Sequence, residues 1–588
     1  MGVPYFVGQI IRGIKKINKY NQILVKTKIY AHDSNMIEGD IEEYYNKIYN
    51  GIVSSFSIDL NALIHYVAGN VYGYINMEID EEKELKPLSK KQQKEKLNEF
   101  NEILWSNILL LYNVTRPRDI FILAADGIAA AGKIIQQRRR RFAKNPYFNP
   151  IFDSNSISPG TDFMIEIDKF IRKKFIENKN YFNCKILYSS HMVPGEGEHK
   201  IFEYLRSNII LKRSKEVHII HGLDADLVML SLLSPCFNIV LMRENNDKKN
   251  ESVREVIDDK VYTSLLDIET FKAYILSKNI PLKDYVLMAM IIGNDFIPHH
   301  VALKDISDSI GLFMYIHNKL KLKLINGNNQ INFREFRKFI HELYLQESNT
   351  ISSKINEINP NKLIIASTEY DNINKINKFN YAKFRKLWYE RCLGISVPNH
   401  DKILYDILHH KLGNDIPKNL FAVKKIDIEN MTMNYIKILN WNFIYYNEGY
   451  KKVDDSIEYY YDFSPLFIDI LNSLTNLIKQ DIMEIEGIRA TSLDNNFTVL
   501  HQLVSVLPMS SIELIPKNLK FLFDINSPII DLFPISWNQI LEGTDKTHLT
   551  IHRIPIPIRK RIIDVFNDIK FEPKFLNKYI PQKDLYIN

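Results

Sequence analysis

Seven acidic residues lie in short stretches of the kind that metal-assisted chemistry uses. They are Asp59 in SIDLNALIH, Asp126 in AADGIAA, Glu196 and Glu198 in VPGEGEHK, Asp224 and Asp226 in GLDADL, and Asp295 in IIGNDFIPHH. Asp224 and Asp226 are two apart, so on extended backbone both side chains leave the same face. Glu196 and Glu198 share that spacing, and Gly195 and Gly197 around them allow a close approach. Carboxylates converging unaided would raise each other's pKa until several protonated. Divalent cations resolve this conflict, and oxygen donors are what Mg²⁺ or Mn²⁺ takes. Two such ions, ~3.5–4 Å apart, suit in-line phosphodiester hydrolysis: one activates the attacking water and the other steadies the leaving oxygen. Taken singly, each acid reads equally well as a helix N-cap or turn former; the shared purpose rests on the set. Asp305 and Asp308 in LKDISDS read as solvated or capping residues.

A cationic run follows Asp126 in ADGIAAAGKIIQQRRRRF. If residues 128–142 are helical, Lys133, Gln137, Arg140 and Arg141 fall at i, i+4, i+7 and i+8, on one face. Three cations and an amide on one face make a clamp for a doubly charged terminal phosphate. Arg138 and Arg139 point elsewhere, to backbone phosphates or solvent. The competing reading is a solvated basic face or an import-like patch. His65 reads either as a structural histidine or as a platform for a nucleobase. Lys200, after the Glu pair, either balances carboxylate charge or touches a scissile phosphate, and His299–His300 receive no role.

These residues need elements to position them. SSFSIDL (54–60), DIFILAAD (119–126), CKILYSS (184–190), VHIIHGLD (217–224) and NIVLMR (238–243) are short, apolar and β-branched, as buried strands are. Helical patterns at 82–112 and 161–178 separate some of them. Strand–helix alternation predicts an α/β fold with parallel strands, whose ligands sit at the carboxyl ends. Asp59, Asp126 and Asp224 fall where an apolar strand ends. Residues 244–260 read as a polar surface loop and 345–375 as a connector without clear periodicity. Beyond it the chain reads as mostly helical, with aromatic stretches such as NWNFIYYNEGY (440–450).

At 588 residues the chain is too long for one ordinary domain. Cys184, Cys236 and Cys392 lie far apart, which argues against a thiolate zinc site or a disulfide framework and fits a reducing, intracellular compartment. A net charge of +6 is mild, so clustering of charge matters more than the total. No apolar run approaches the ~18 residues of a membrane helix. The start, MGVPYF, has Phe6 where a myristoylation signal needs Ser or Thr. The first acid is Asp33, which allows a basic transit peptide, but Val7, Ile10, Ile11, Ile14 and Ile17 form one helical stripe that suits a packed amphipathic helix equally well.

The stretches MGVPYF, DLNALIH, DGIAAAGKIIQQRRRRF, NSISPGTDFM, VPGEGEHKIFEYLR, GLDADLVML and IIGNDFIPH resemble the XRN family of 5′→3′ exoribonucleases, and VLPMSSIELIP and NSPIIDLFP resemble its second conserved region. The resemblance implies a FEN/PIN-like nuclease lobe with a parallel-rich sheet flanked by helices, plus a mostly helical second region. The expected division is 1–345 for the nuclease domain, with an insertion at about 20–52, then 346–375 as connector and 376–588 as the second region. It implies Mg²⁺-dependent (or Mn²⁺-dependent) processive release of nucleoside 5′-monophosphates from single-stranded RNA bearing a 5′-monophosphate. The acids matching Asp59, Asp126, Glu196, Glu198, Asp224, Asp226 and Asp295 are the family's metal ligands; residues matching Lys133, Gln137, Arg140 and Arg141 hold the phosphate, and the residue matching His65 stacks on the terminal base. Three departures stand out: the family's Pro-Arg after Asp-Gly is Ala130–Ala131, a Trp-rich stretch is SIEYYYDFSP, and the chain is a short form without a long carboxyl extension or zinc knuckle. The ring paired with His65 is then assigned to Tyr459, with Trp441 as fallback although it reads as core. The expected protein is a monomer away from membranes, cytoplasmic rather than nuclear, with no protein partner assigned. Its Ile-, Asn-, Lys- and Tyr-rich composition also allows a viral member. Rival readings are a structure-specific 5′ DNA flap nuclease and a non-catalytic RNA-binding protein.

Overall fold

The computed structural model describes residues 24–30, 53–73, 87–143, 151–208, 216–244, 256–257, 260–304, 306–357, 359–371, 376–393, 423–489, 497–541 and 550–588. MGVPYF, the apolar stripe at 7–17, Asp305 and most of the 20–52 insertion lie outside these residues.

The strands are β1 (Leu24–Tyr30), β2 (Val53–Asp59), β3 (Ile120–Ala124), β4 (Lys185–Ser189), β5 (Val217–His221), β6 (Ile239–Glu244), β7 (Val256–Ile257), β8 (Lys260–Asp267) and β9 (Leu585–Ile587). They form one sheet in the order β1-β8-β6-β5-β2-β3-β4-β9, with β7 on β8. The five central strands, from β6 to β4, run parallel, and the flanking ones antiparallel. The polar 244–260 segment is thus partly strand: Val256–Ile257 pairs with β8, which begins at Lys260.

Residues 60–353 also form, among others, helices α1 (Leu60–Tyr72), α2 (Lys90–Thr115), α3 (Ala131–Ala143), α4 (Asp162–Glu177), α5 (Gly197–Ser207), α6 (Asp226–Leu233), α7 (Leu282–Ile292) and α8 (Phe333–Ser353). The alternation within each strand sorts its side chains between two cores. Phe121 and Leu123 of β3 face a cluster with α1, α2 and α4. Ile120, Ile122 and Ala124 face another that contains α5, α6 and α7. Apolar residues on both faces explain why these strands read as continuous hydrophobic runs.

The remainder contributes α9 (Lys425–Glu448), α10 (Phe467–Asn476) and α11 (Val499–Val506), among other short elements. α9 buries Tyr435, Trp441, Tyr445 and Tyr446 in the cluster of α5–α7. A third cluster joins Ile128, Ile134 and Met192 to Val499, Leu503 and Val504 of α11. Residues 346–353, at the start of the expected connector, continue α8. Its apolar positions Phe336, Phe339, Ile340, Leu343 and Ile351 keep helical spacing through that point.

Candidate metal and phosphate site

Sheet register brings the acids together. Asp59 pairs with Ala124, two residues before Asp126, and Ile58 pairs with His221, three before Asp224. Asp59 precedes α1 and Glu196 precedes α5, yet neither side chain makes a capping hydrogen bond. Carboxylate oxygens of Asp59, Asp126 and Glu198 lie within 4.8 Å of one another. Asp126 Oδ1 accepts from the Gly197 N–H at 2.8 Å. A Cβ on Gly197 would lie 2.9 Å from the Ala124 carbonyl oxygen and 3.0 Å from Asp59 Oδ1, so this position excludes a side chain. Asn61 brackets Asp126, its Nδ2 donating to Oδ2 at 2.9 Å and its Oδ1 accepting from the Asp126 N–H at 3.0 Å. Arg243 of β6 holds the GLDADL turn, donating to the carbonyl oxygens of Leu223 and Asp224.

Glu196, Asp226 and Asp295 gather around Lys133. Its Nζ lies 2.5 Å from Glu196 Oε2 and 2.8 Å from Asp295 Oδ2, all three side chains being buried. Burial lowers the Lys133 pKa, but Asp295, Glu196, Glu198 and Asp226 outweigh it and raise it well above its ordinary value. Burial would likewise raise Asp295, but Lys133 holds it below its usual range. One ammonium does not balance seven acids. Burial, then Asp126 and Asp224, push Asp59 well up. Burial raises Glu198 well above its usual range against Lys133, with Glu196, Asp59 and Asp224 adding to the rise. Asp226 reaches about 7 through burial and then Asp295.

The cationic run forms α3, so Lys133, Gln137, Arg140 and Arg141 do share a helical face. Gln137 is buried, Arg141 half-buried and Arg140 exposed. Arg141 Nε donates to Ser158 Oγ at 2.9 Å. Burial, then Arg140, lowers Arg141 to about 10, which leaves it charged at neutral pH. Arg140 is close enough to act on Asp295, so the cationic face adjoins the acids. The chain's later half reaches the same place: Tyr445 Oη donates to Glu196 Oε1 at 2.7 Å.

Two family models match this chain. XRN 5'-3' exonuclease N-terminus matches residues 1–149 and 143–245, and Xrn1 helical domain matches 418–574, together more than half the chain. The chain belongs to the XRN family. Its relatives include 5'-3' exoribonuclease 1 of Homo sapiens, 26% identical over 77% of this chain and 30% of that protein. The same-named protein of Schizosaccharomyces pombe is 26% identical over 80% of this chain and 44% of its own length. 5'-3' exoribonuclease 2 of Arabidopsis thaliana is 22% identical over 84% and 62%. The chain thus spans less than two thirds of each of these relatives.

An XRN nuclease implies a divalent metal, and the acids fit one. The Asp59–Asp126–Glu198 donor set is all oxygen, as a hard cation requires. Asp59 Oδ1 is buried and, among the described residues, has no hydrogen-bond partner.

Several expectations for this XRN chain need correction. Arg138 does not reach solvent or phosphates: it is 1% exposed and donates to the carbonyl oxygens of Ser505, Leu532 and Pro555. Arg139 pairs with Asp462 at 2.6 Å. Lys200 donates to the carbonyls of Ala125 and Ser190 at 2.8 and 2.9 Å, tying two strand ends together. Tyr459, assigned as a stacking ring, is 3% exposed, with its hydroxyl on the Phe463 carbonyl and its ring against Tyr435 and Tyr461. So enclosed a ring offers no face to a base. Trp441 is also core, stacked on Tyr445 and donating to the Asp454 carbonyl. His65 is half-buried on α1, one turn after Asn61. Sequence reasoning missed Asn61, Arg243 and Tyr445. Only Asn61 carried a local signal, inside DLNALIH.

Proposed function

We propose that this chain is a processive 5′→3′ exoribonuclease that hydrolyses single-stranded RNA bearing a 5′-monophosphate to nucleoside 5′-monophosphates. One observation carries the reading: Lys133 touches Glu196 and Asp295 while opening the helical face that continues to Gln137, Arg140 and Arg141. An acid cradle and an anion socket are thereby contiguous. Asp59, Asp126, Glu196, Glu198, Asp224, Asp226 and Asp295 would hold two Mg²⁺ or Mn²⁺ ions, which when bound supply the activated water and stabilise the leaving oxygen. Lys133, Gln137, Arg140 and Arg141 bind the terminal phosphate and so place the first phosphodiester at the acids. His65 offers an imidazole face to the terminal base. Such a socket refuses a cap or triphosphate on size.

Residues 1–345 form the nuclease part and 376–588 the second region in this reading, and the working unit is a monomer. Among the described residues no helix is long and apolar enough to cross a membrane. Three cysteines far apart in the sequence fit a reducing, intracellular setting, taken as cytoplasmic in this reading.

The test compares matched RNAs ending in monophosphate, triphosphate or hydroxyl, with purified protein and Mg²⁺. Monophosphorylated RNA should decay fastest, and equal decay of all three would refute the socket. Asp224→Ala with Asp226→Ala should abolish cleavage and spare RNA binding. A competing DNA flap that is cut in preference to RNA would favour the flap-nuclease reading. Failure to cleave any nucleic acid with Mg²⁺ or Mn²⁺ would favour a binding protein.

A further inference from the structure

The amide of Gln137 has two unlike ends, and only one serves an anion. Its Nε2 carries two N–H donors, whereas its Oε1 offers lone pairs alone. A relay of contacts that begins at a backbone N–H decides which end is free. The Ala129 N–H donates to Gln502 Oε1 at 2.9 Å. A backbone N–H cannot accept, so oxygen is the only Gln502 amide atom that belongs there. Gln502 Nε2 then faces the opposite way, 3.4 Å from the Gly127 carbonyl oxygen and 3.3 Å from Gln137 Oε1. Both are acceptors, which agrees with that sense. Gln502 is 0% exposed and sits on α11, packed against α3, so the relay is sealed inside the protein. Gln137 Oε1 is therefore engaged, and its Nε2 is turned away from Gln502.

We propose that Gln502 is a positioning residue: it fixes the amide sense of Gln137, presents N–H donors to the socket, and so sets the preference for a 5′-phosphate over a 5′-hydroxyl. This rests on the clamp reading of Lys133, Gln137, Arg140 and Arg141 given above. A plain structural role, gluing α11 to the loop after Asp126, would affect every substrate alike. The positioning role makes the effect depend on the end group and on Gln137.

The experiment measures kcat/KM of the full chain at pH 8 with Mg²⁺, on matched single-stranded RNAs ending in 5′-monophosphate and 5′-hydroxyl. The ratio of the two is taken on one preparation, so it does not depend on the fraction folded. Gln502→Met, Gln137→Ala and the double variant are compared with the unmodified chain. Gln502→Met should lower the ratio about tenfold, mainly through KM for the phosphorylated RNA. In the Gln137→Ala background the same change should leave the ratio where it is. An unaltered ratio in Gln502→Met, or an equal drop in the absence of the Gln137 amide, would overturn the inference. If Gln502→Met yields no folded protein, Gln502→Glu takes its place, because an ionised carboxylate has no donor for Gln137 Oε1. The ratio should again fall, and a preserved ratio would overturn the inference. A Gln137→Ala variant that keeps the full preference would overturn the clamp reading and this inference with it.

Discussion

Glu196 is held from two sides, by the Lys133 ammonium at 2.5 Å and by the Tyr445 hydroxyl at 2.7 Å. Tyr445 is in turn wedged between Trp441, at 4.7 Å between ring centroids, and His199, at 4.0 Å. Groups that orient a ligand in this way commonly matter tenfold or more to metal affinity. Tyr445→Phe keeps the ring packing and removes one hydrogen bond. It should raise the Mn²⁺ concentration for half-saturation about tenfold, read by calorimetric titration without RNA; an unchanged titration would show that the hydroxyl plays no part. This residue scale is also where the sequence is least informative. Asn61 and Asp126 are 65 residues apart, Tyr445 and Glu196 are 249 apart, and Gln502 and Gln137 are 365 apart. Local periodicity carries nothing about partners so remote. The acids themselves were legible because each follows a strand or sits in a Gly-flanked turn. The enclosed ring of Tyr459 was not, since Tyr435 of α9 packs against it from outside its own stretch.

At the scale of elements, α3 joins two tasks on different faces. Lys133, Gln137, Arg140 and Arg141 take one face, while Arg138 leaves another to satisfy three carbonyls of the second region. Its guanidinium also lies 4.2 Å over the Phe142 ring. The register of α3 was readable from the sequence, but a run of four arginines does not announce that one of them is core. Arg138→Met keeps much of the bulk and strands those carbonyls, at a cost of about 3 kcal/mol. Urea unfolding should show that loss, and a loss below about 1 kcal/mol would mean that the carbonyls find other partners. The parallel strands were legible for a simpler reason: both their faces are buried, so each reads as a compact β-branched run. β7 and the whole of β8 were missed, the segment at 244–260 being polar and mimicking a loop.

Across the whole molecule, distant parts of the chain are closed onto one another by buried polar contacts as well as by apolar packing. β9 pairs with β4, bringing Leu585 opposite Tyr188. Glu347 of α8 accepts from the Phe467 and Ile468 N–H groups at the start of α10 and from Tyr381 Oη. Burial, opposed by those bonds, lifts Glu347 to about 7. A folded pKa above the unfolded one, about 4.3, means the folded state holds a proton the unfolded state releases. The stabilisation is then full below about pH 4.3 and is lost as pH rises through 7, by about 1.4 kcal/mol per unit. Glu347→Gln is neutral throughout. The stability of the unmodified chain relative to that variant should therefore fall by about 2.5 kcal/mol between pH 5 and 7.5; a flat difference in urea melts would place the carboxyl in its ordinary range.

On the proposed reading, a divalent-ion cradle and a terminal-phosphate socket lie side by side in one pocket. A crystal soaked with Mn²⁺ and a nucleoside 5′-monophosphate tests this most directly. The expected result is anomalous density among Asp59, Asp126 and Glu198, with the phosphate on Gln137 and Arg141. Mn²⁺ bound elsewhere, or a phosphate settled away from α3, would contradict it.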